Sequence, residues 1–131
     1  MRSRWAGITF ETLCTKHVEE IKHRLGISGI HSVDGSWFAK GGNGGAQVDL
    51  LIDRDDHVVN LCEMKFRDGP FTIDAKYARE LAQKIESFRR STGTRKSILL
   101  TFITTYGLAI NAYSRQWVQN DLAAEALFQE L

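Results

Sequence analysis

Two neighbouring stretches decide the fold: Gln47-Val-Asp-Leu-Leu-Ile-Asp53 and Val58-Val-Asn-Leu-Cys-Glu-Met-Lys-Phe66. The first alternates in the manner of a strand, with Val48, Leu50 and Ile52 expected on one side and Gln47, Asp49, Leu51 and Asp53 on the other. The second is an apolar strand interrupted by Glu63 and Lys65, which are two apart and so share a face. A carboxylate and an ammonium inside such a run are costly unless they pair or meet a ligand. Between the stretches, Arg54-Asp-Asp-His57 reads as a turn. An antiparallel register with Asp49 opposite Glu63 also sets Gln47 against Lys65, Val48 against Met64, Leu50 against Cys62, Leu51 against Leu61 and Asp53 against Val59. Slipping it by one residue would put the two acids on opposite faces. The preferred register needs an odd-numbered loop, for example one of three residues.

Other elements extend from this hairpin. Phe10, Cys14, Val18, Ile21 and Leu25 recur at three and four residues and predict one helix over roughly Gly7 to Leu25, ended by Gly26 and Gly29. Ser36 to Lys40 reads as a short aromatic strand, with Trp37 and Phe38 expected in the core, and Gly41 to Gly45 as a loop. Tyr77, Leu81, Ile85 and Phe88 predict a helix over Ile73 to Arg90. Lys96 to Thr105 is apolar enough for a strand buried on both faces. A short strand near Trp117 to Gln119 and a last helical turn around Leu122 to Phe128 complete the reading. The order αβββαβ implies an α/β fold, with a mixed central sheet flanked by helices.

The 131 residues suit one domain, 1–131, and the 43% apolar and 25% charged content is that of a globular chain with a real core. A net charge of +1 excludes an overwhelmingly basic coat, though not a local basic patch. Cys14 and Cys62 lie in apolar runs and form no CxxC pair, and the four histidines lack zinc-ligand spacing. The simplest expectation is a reduced, cytoplasmic protein. No apolar run approaches the ~20 residues needed to span a bilayer, and the start, Met1-Arg-Ser-Arg-Trp5, reads as a chain cut into rather than a leader.

The chemistry centres on Asp49, Glu63 and Lys65. Carboxylates brought side by side repel and call for a cation between them. Oxygen-only ligands suit a hard ion, Mg²⁺ or Mn²⁺, which polarises a phosphoryl oxygen and acidifies a bound water. Lys65 could orient that water and meet developing negative charge. On the first helix, Glu11 lies about 60–70° from the apolar stripe, whereas Glu19 and Glu20 lie beyond about 100° and face water. Glu11 is therefore the helical acid best placed beside the site. The plainer reading makes Glu63 and Lys65 a surface ion pair and Glu11 a favourable charge in a first helical turn. Lys84 flanks the stripe of the second helix near Tyr77 and could reach towards the site. Arg89 and Arg90, with Arg95 and Lys96, cluster at that helix's end, as dipole-favoured charge or as non-specific phosphate contacts.

These residues resemble a known family. Asp49, thirteen intervening residues and then Glu63-Met64-Lys65 match the D-(x)n-E-x-K signature of the PD-(D/E)XK nuclease superfamily. The αβββαβ order matches its restriction-endonuclease-like core. The phrases Gly45-Ala-Gln-Val-Asp-Leu-Leu-Ile-Asp-Arg54, Asn60-Leu-Cys-Glu-Met-Lys-Phe66 and Trp5-Ala-Gly-Ile-Thr-Phe-Glu11 resemble the nuclease-like domain at the C-terminus of certain bacterial AAA+-type ATPases. Val48 stands where the superfamily's nominal proline would be. The resemblance implies that Asp49, Glu63 and Glu11 hold Mg²⁺ or Mn²⁺, that Lys65 is the catalytic lysine, that DNA is the substrate, and that an ATPase precedes this domain. The chain itself has no GxxxxGK[ST] pattern. The expected function is metal-dependent DNA hydrolysis. One alternative is a nuclease-fold module that binds DNA or docks to its ATPase without catalysis, and another is an interaction domain that touches no nucleic acid. Association between copies of the chain remains open.

Overall fold

The computed structural model describes residues 4–39 and 46–124. It is an α/β fold around a five-stranded mixed sheet. The strands run in spatial order β1 (Ser32–Phe38), β2 (Gln47–Arg54), β3 (Val58–Lys65), β4 (Ser97–Thr104) and β5 (Asn120–Ala123). The first three are antiparallel, and β4 and β5 join in parallel. Helices α1 (Arg4–Lys16) and α2 (Val18–Leu25) precede the sheet, α3 (Ala75–Thr92) crosses from β3 to β4, and α4 (Ala112–Trp117) leads to β5.

Alternate residues of β3 enter two separate cores. Cys62 and Met64 pack with Leu50, Ile52 and Ile103 beneath Phe10, Cys14 and Ile21 of the first two helices. Val59 and Leu61 pack with Leu100 and Phe102 beneath Ala78, Leu81 and Phe88 of α3. Every β3 residue from Val59 to Met64 is consequently buried. The β2–β3 loop has the expected three residues, Asp55, Asp56 and His57, with His57 at a positive φ of 67°. The ladder pairs Leu50 with Cys62, Leu51 with Leu61, Ile52 with Asn60 and Asp53 with Val59, as the hydrophobic pattern predicts.

Several boundaries differ from expectation. The first helix is broken at His17, whose amide bonds to the carbonyls of both Leu13 and Cys14 at 3.1 Å. The apolar stripe survives the break, because Val18, Ile21 and Leu25 still pack on the core begun by Phe10 and Cys14. Gly26 ends α2 at φ 76°, a left-handed conformation that suits glycine. α3 begins at Ala75 rather than Ile73, since Asp74 accepts a bond from the Tyr77 amide as its cap. β1 starts earlier, at Ser32, because Ser32 to Asp34 pair with Arg54 to Ile52. Lys40 and the Gly41–Gly45 loop lie outside the described residues.

The tail required the largest correction. Trp117 ends a helix rather than starting a strand, because Asn111 and Ser114 form a reciprocal cap that starts α4. Leu122 lies in β5, paired with Ile103, and helix starts two residues later than expected, at Ala124; residues 125–128 lie outside the described residues. Phe38 is 62% exposed, contrary to the expectation of a core position, whereas Trp37 packs on the α3-side core and its Nε1 donates to Ser91 at 3.1 Å.

Phe102 is fully buried between Phe71 and Tyr77, with centroid separations of 5.9 and 6.2 Å. Phe102→Ala should cost about 3–5 kcal/mol, read from urea unfolding at unchanged slope. A loss below about 1 kcal/mol would contradict this packing.

Candidate functional site

The site is built at the end of β3 that leads into α3. Glu63 and Lys65 do share a face, the one covered by α3. The Glu63 side chain is only 7% exposed, and both its oxygens are engaged. Lys84 Nζ donates to Oε2 at 2.8 Å and the Tyr77 hydroxyl to Oε1 at 3.3 Å. Tyr77 and Lys84 are seven residues apart, two turns of one helix, and therefore project from the same side of α3. Lys65 lies over the ring of Tyr77, its Nζ 5.3 Å from the centroid. Glu63 and Lys65 are thus no solvated surface pair. Each is held by α3, and Tyr77 touches both. Burial, and then the Glu63 carboxylate beside it, push the Tyr77 hydroxyl well above the usual phenol range.

Asp49 departs from the expected geometry. Between the pairs Gly35–Leu51 and Trp37–Val48, β1 advances two residues and β2 three. The extra residue is a bulge in β2 next to Asp49. Its effect is visible in the packing: Leu50 and Ile52 face α1 and α2, but Val48 joins the α3-side core with Trp37. The expected common face of Val48, Leu50 and Ile52 is therefore wrong at Val48. The recorded β2–β3 ladder also stops at Leu50–Cys62, one step short of Asp49 and Glu63. Alternation then places Asp49 opposite Val48, on the α1 side, where Gln47 Nε2 donates to its Oδ1 at 2.6 Å.

Glu11 of α1 is found on that side. Its carboxyl is raised above the ordinary value, first by partial burial and then by the Asp49 charge, while Lys65 pulls it back down. Asp49, Glu11 and Lys65 therefore share one electrostatic neighbourhood, with Lys65 joining it to Tyr77 and Glu63. Glu19 and Glu20 face water, as expected, where Glu19 pairs with Lys22 and Glu20 with Arg24. Cys14 is pushed up to about 12 by burial, and Cys62 is raised further for the same reason, so neither thiol is a nucleophile here.

Of the basic residues singled out, Lys84 reaches the site. Arg89 instead donates to the Thr94 and Lys96 carbonyls at 3.2 and 3.1 Å, closing the end of α3. Arg90 pairs with Glu86 at 3.0 Å, and Lys96 pairs with Asp53 at 2.6 Å. The roles of Tyr77 and the bulge escaped the sequence reading. The spacing of Tyr77 and Lys84 carries a signal for the first, since two polar groups two turns apart on a core-facing stripe imply a buried partner.

Among the described residues, no group of three or more His, Cys, Asp or Glu side chains stands close enough to hold a metal ion. Glu11 and Asp49 repel each other on the α1 side, whereas Glu63 faces α3, so the three carboxylates do not meet on one face. No described helix is long and apolar enough to cross a membrane. Compared with known proteins, the chain matches no family model, no curated protein and no solved structure.

The raised Glu11 carboxyl has a defined sign. A raised acid penalises the folded state where it is ionised, so the penalty is absent well below 4.5 and grows as pH climbs through the folded value. Glu11→Gln should therefore stabilise the metal-free protein at neutral pH by about a few tenths of a kcal/mol, given its exposure. The gain should vanish in acid. Chemical denaturation at both pH values checks this, and a gain that persists unchanged in acid would exclude charge repulsion as its cause.

Proposed function

We propose that the chain is a metal-dependent nuclease domain of the PD-(D/E)XK type, hydrolysing DNA phosphodiester bonds and working with an AAA+-type ATPase. The observation that carries this reading is the position of Glu63 and Lys65 at the end of a doubly covered strand, with Glu11 electrostatically linked to both Lys65 and Asp49. The element order, three antiparallel strands followed by a helical crossover to a parallel fourth, supports the restriction-endonuclease-like core, to which α4 and β5 are additions.

On this reading Asp49, Glu63 and Glu11 would hold Mg²⁺ or Mn²⁺, which supplies Lewis acidity at a phosphoryl oxygen and an acidified water. Lys65 would orient the attacking water and stabilise charge developing on the phosphate. Tyr77 fixes Glu63 by hydrogen bonding to one of its oxygens. Lys84 would meet the DNA backbone, joined by Arg89 and Arg90 if their contacts at the end of α3 exchange for phosphate.

A second reading has its own observation. Glu63 is already saturated by Lys84 and Tyr77, and the bulge turns Asp49 to the other face. A module that binds DNA or docks to its ATPase without cutting would have no need to undo either.

The two readings separate in a cleavage assay on plasmid and single-stranded DNA with Mg²⁺ or Mn²⁺. Lys65→Ala and Asp49→Ala should each lower the rate at least about a hundredfold relative to wild type. Wild-type cleavage indistinguishable from both variants would falsify the enzymatic reading. Salt-dependent DNA binding without cleavage would leave the silent module.

A further inference from the structure

We infer that Arg67 and Tyr106 form a landing for an unpaired nucleic-acid strand beside Lys65: the guanidinium takes a backbone phosphate and the phenol ring stacks on a base. This rests on the nucleic-acid partner proposed above, which the cutting and the silent readings share, and adds to it a preference for single strands over duplex.

The exits of β3 and β4 bring these groups together. Lys65 ends β3 opposite Thr104 of β4, and just beyond that pair the Arg67 amide donates to Thr105 Oγ1 at 3.0 Å. Tyr106 is the next residue, so it leaves the sheet at the same end as Lys65 and Arg67. Its turn is tied down beside it. The Gly107 amide donates to Thr104 Oγ1 at 2.8 Å, the Phe71 amide to the Gly107 carbonyl at 3.0 Å, and the Ala109 amide to the Phe71 carbonyl at 2.9 Å. Tyr106 is nonetheless 48% exposed, on backbone fixed before any partner arrives. Arg67 is held in a comparable way. Its guanidinium lies 5.1 Å from the Phe71 centroid, and Nη1 donates to the Phe66 carbonyl at 2.9 Å, which leaves other donors of the fork unspent. Among the described residues neither Lys65 nor Arg67 makes an ion pair, and Glu63, which shares a face with Lys65, is taken by Lys84. Asp68, next in sequence, and Glu80, whose charge reaches Tyr77, hold the local positive potential down, so the ring must supply part of the affinity. Cations beside an exposed ring match a polyanion that carries aromatic bases, with phosphates meeting the charge and a base meeting the ring. A base inside a duplex is already stacked on both faces, so only an unpaired strand offers one to Tyr106.

The test is fluorescence anisotropy at low salt with a metal chelator present, so that binding is read without cleavage. The probes are a short labelled DNA strand of mixed sequence, the same strand annealed to its complement, its RNA equivalent, and inorganic polyphosphate as an unlabelled competitor. The full chain is compared as wild type, Tyr106→Leu, Tyr106→Phe and Arg67→Gln. Wild type should favour single strands, DNA or RNA, over duplex. Tyr106→Leu should lose about tenfold on single strands while duplex and polyphosphate affinities hold. Tyr106→Phe keeps the ring and should match wild type. Arg67→Gln should weaken binding to every probe and lower the single-strand salt slope by about 0.7, one phosphate contact. Unchanged single-strand binding by Tyr106→Leu, a wild-type preference for duplex, or no binding of any strand overturns the inference. So does a Tyr106→Leu loss that is equal on polyphosphate, which marks a structural role. Should Tyr106→Leu melt well below wild type, Tyr106→His, which retains a stacking ring, takes its place against Tyr106→Ser. Equal binding by those two overturns the stacking. The expected pattern without cleavage when Mg²⁺ is restored sinks the enzymatic reading and leaves this inference standing. Cleavage by a chain indifferent to Tyr106 does the reverse.

Discussion

Strand β3 is covered on both faces, so its polar groups must be satisfied from within the protein. Two side chains on its buried stretch test that constraint, one towards each end. Asn60 is 1% exposed and donates to Thr101 at 3.0 Å while accepting from Arg54 at 2.9 Å. Through Asn120, which receives bonds from both Asn60 and Thr101, the same network ties β5 to the sheet. Glu63 carries a charge rather than a dipole, and an unpaired carboxylate at that depth would cost several kcal/mol. Its solution comes from α3, and so fixes where that helix can sit. The crossover helix must bring Tyr77 and Lys84 over the strand end while Leu81 and Phe88 fill the core beside them.

The bulge in β2 acts against that same background. An ideal ladder would have carried Asp49 to the side of Glu63, adding a second carboxylate to a nearly closed pocket. The extra residue places Val48 under α3, where its side chain packs with Trp37, and leaves Asp49 exposed beside Glu11. Hydrophobic burial and charge separation therefore favour the same distortion. The register between Leu50 and Asp53 is strict because Leu50 and Ile52 are both buried. Only past Leu50 does the ladder come apart.

This explains which parts were legible in the sequence. Alternation from Leu50 to Asp53, the apolar run of β3 and the three-residue loop each report the hairpin locally, and the pairing follows. The helical stripes at Phe10, Cys14 and Ile21 and at Tyr77, Leu81 and Phe88 report their faces even though His17 interrupts the first. The bulge was not legible, because it depends on how Trp37 and Val48, eleven positions apart in sequence, pack together. The tail was misread for a related reason: Trp117 and Val118 look like strand residues, but the short helix before β5 is set by the cap of Asn111 and Ser114. For the site, residue types identified Glu63, Lys65, Asp49 and Glu11 as chemically notable. They could not show that Glu63 would find its counter-charge on Lys84 rather than on Lys65.

That pairing gives the site an asymmetry with chemical consequences. Glu63 is neutralised by a direct ion pair with Lys84, whereas Glu11 meets Asp49 as a repulsion and Lys65 as a more distant attraction. The fold places the Lys84 cation on α3, the same helix whose apolar stripe closes the core. The position of α3 against the sheet therefore governs both the packing of one core and the charge available at the end of β3.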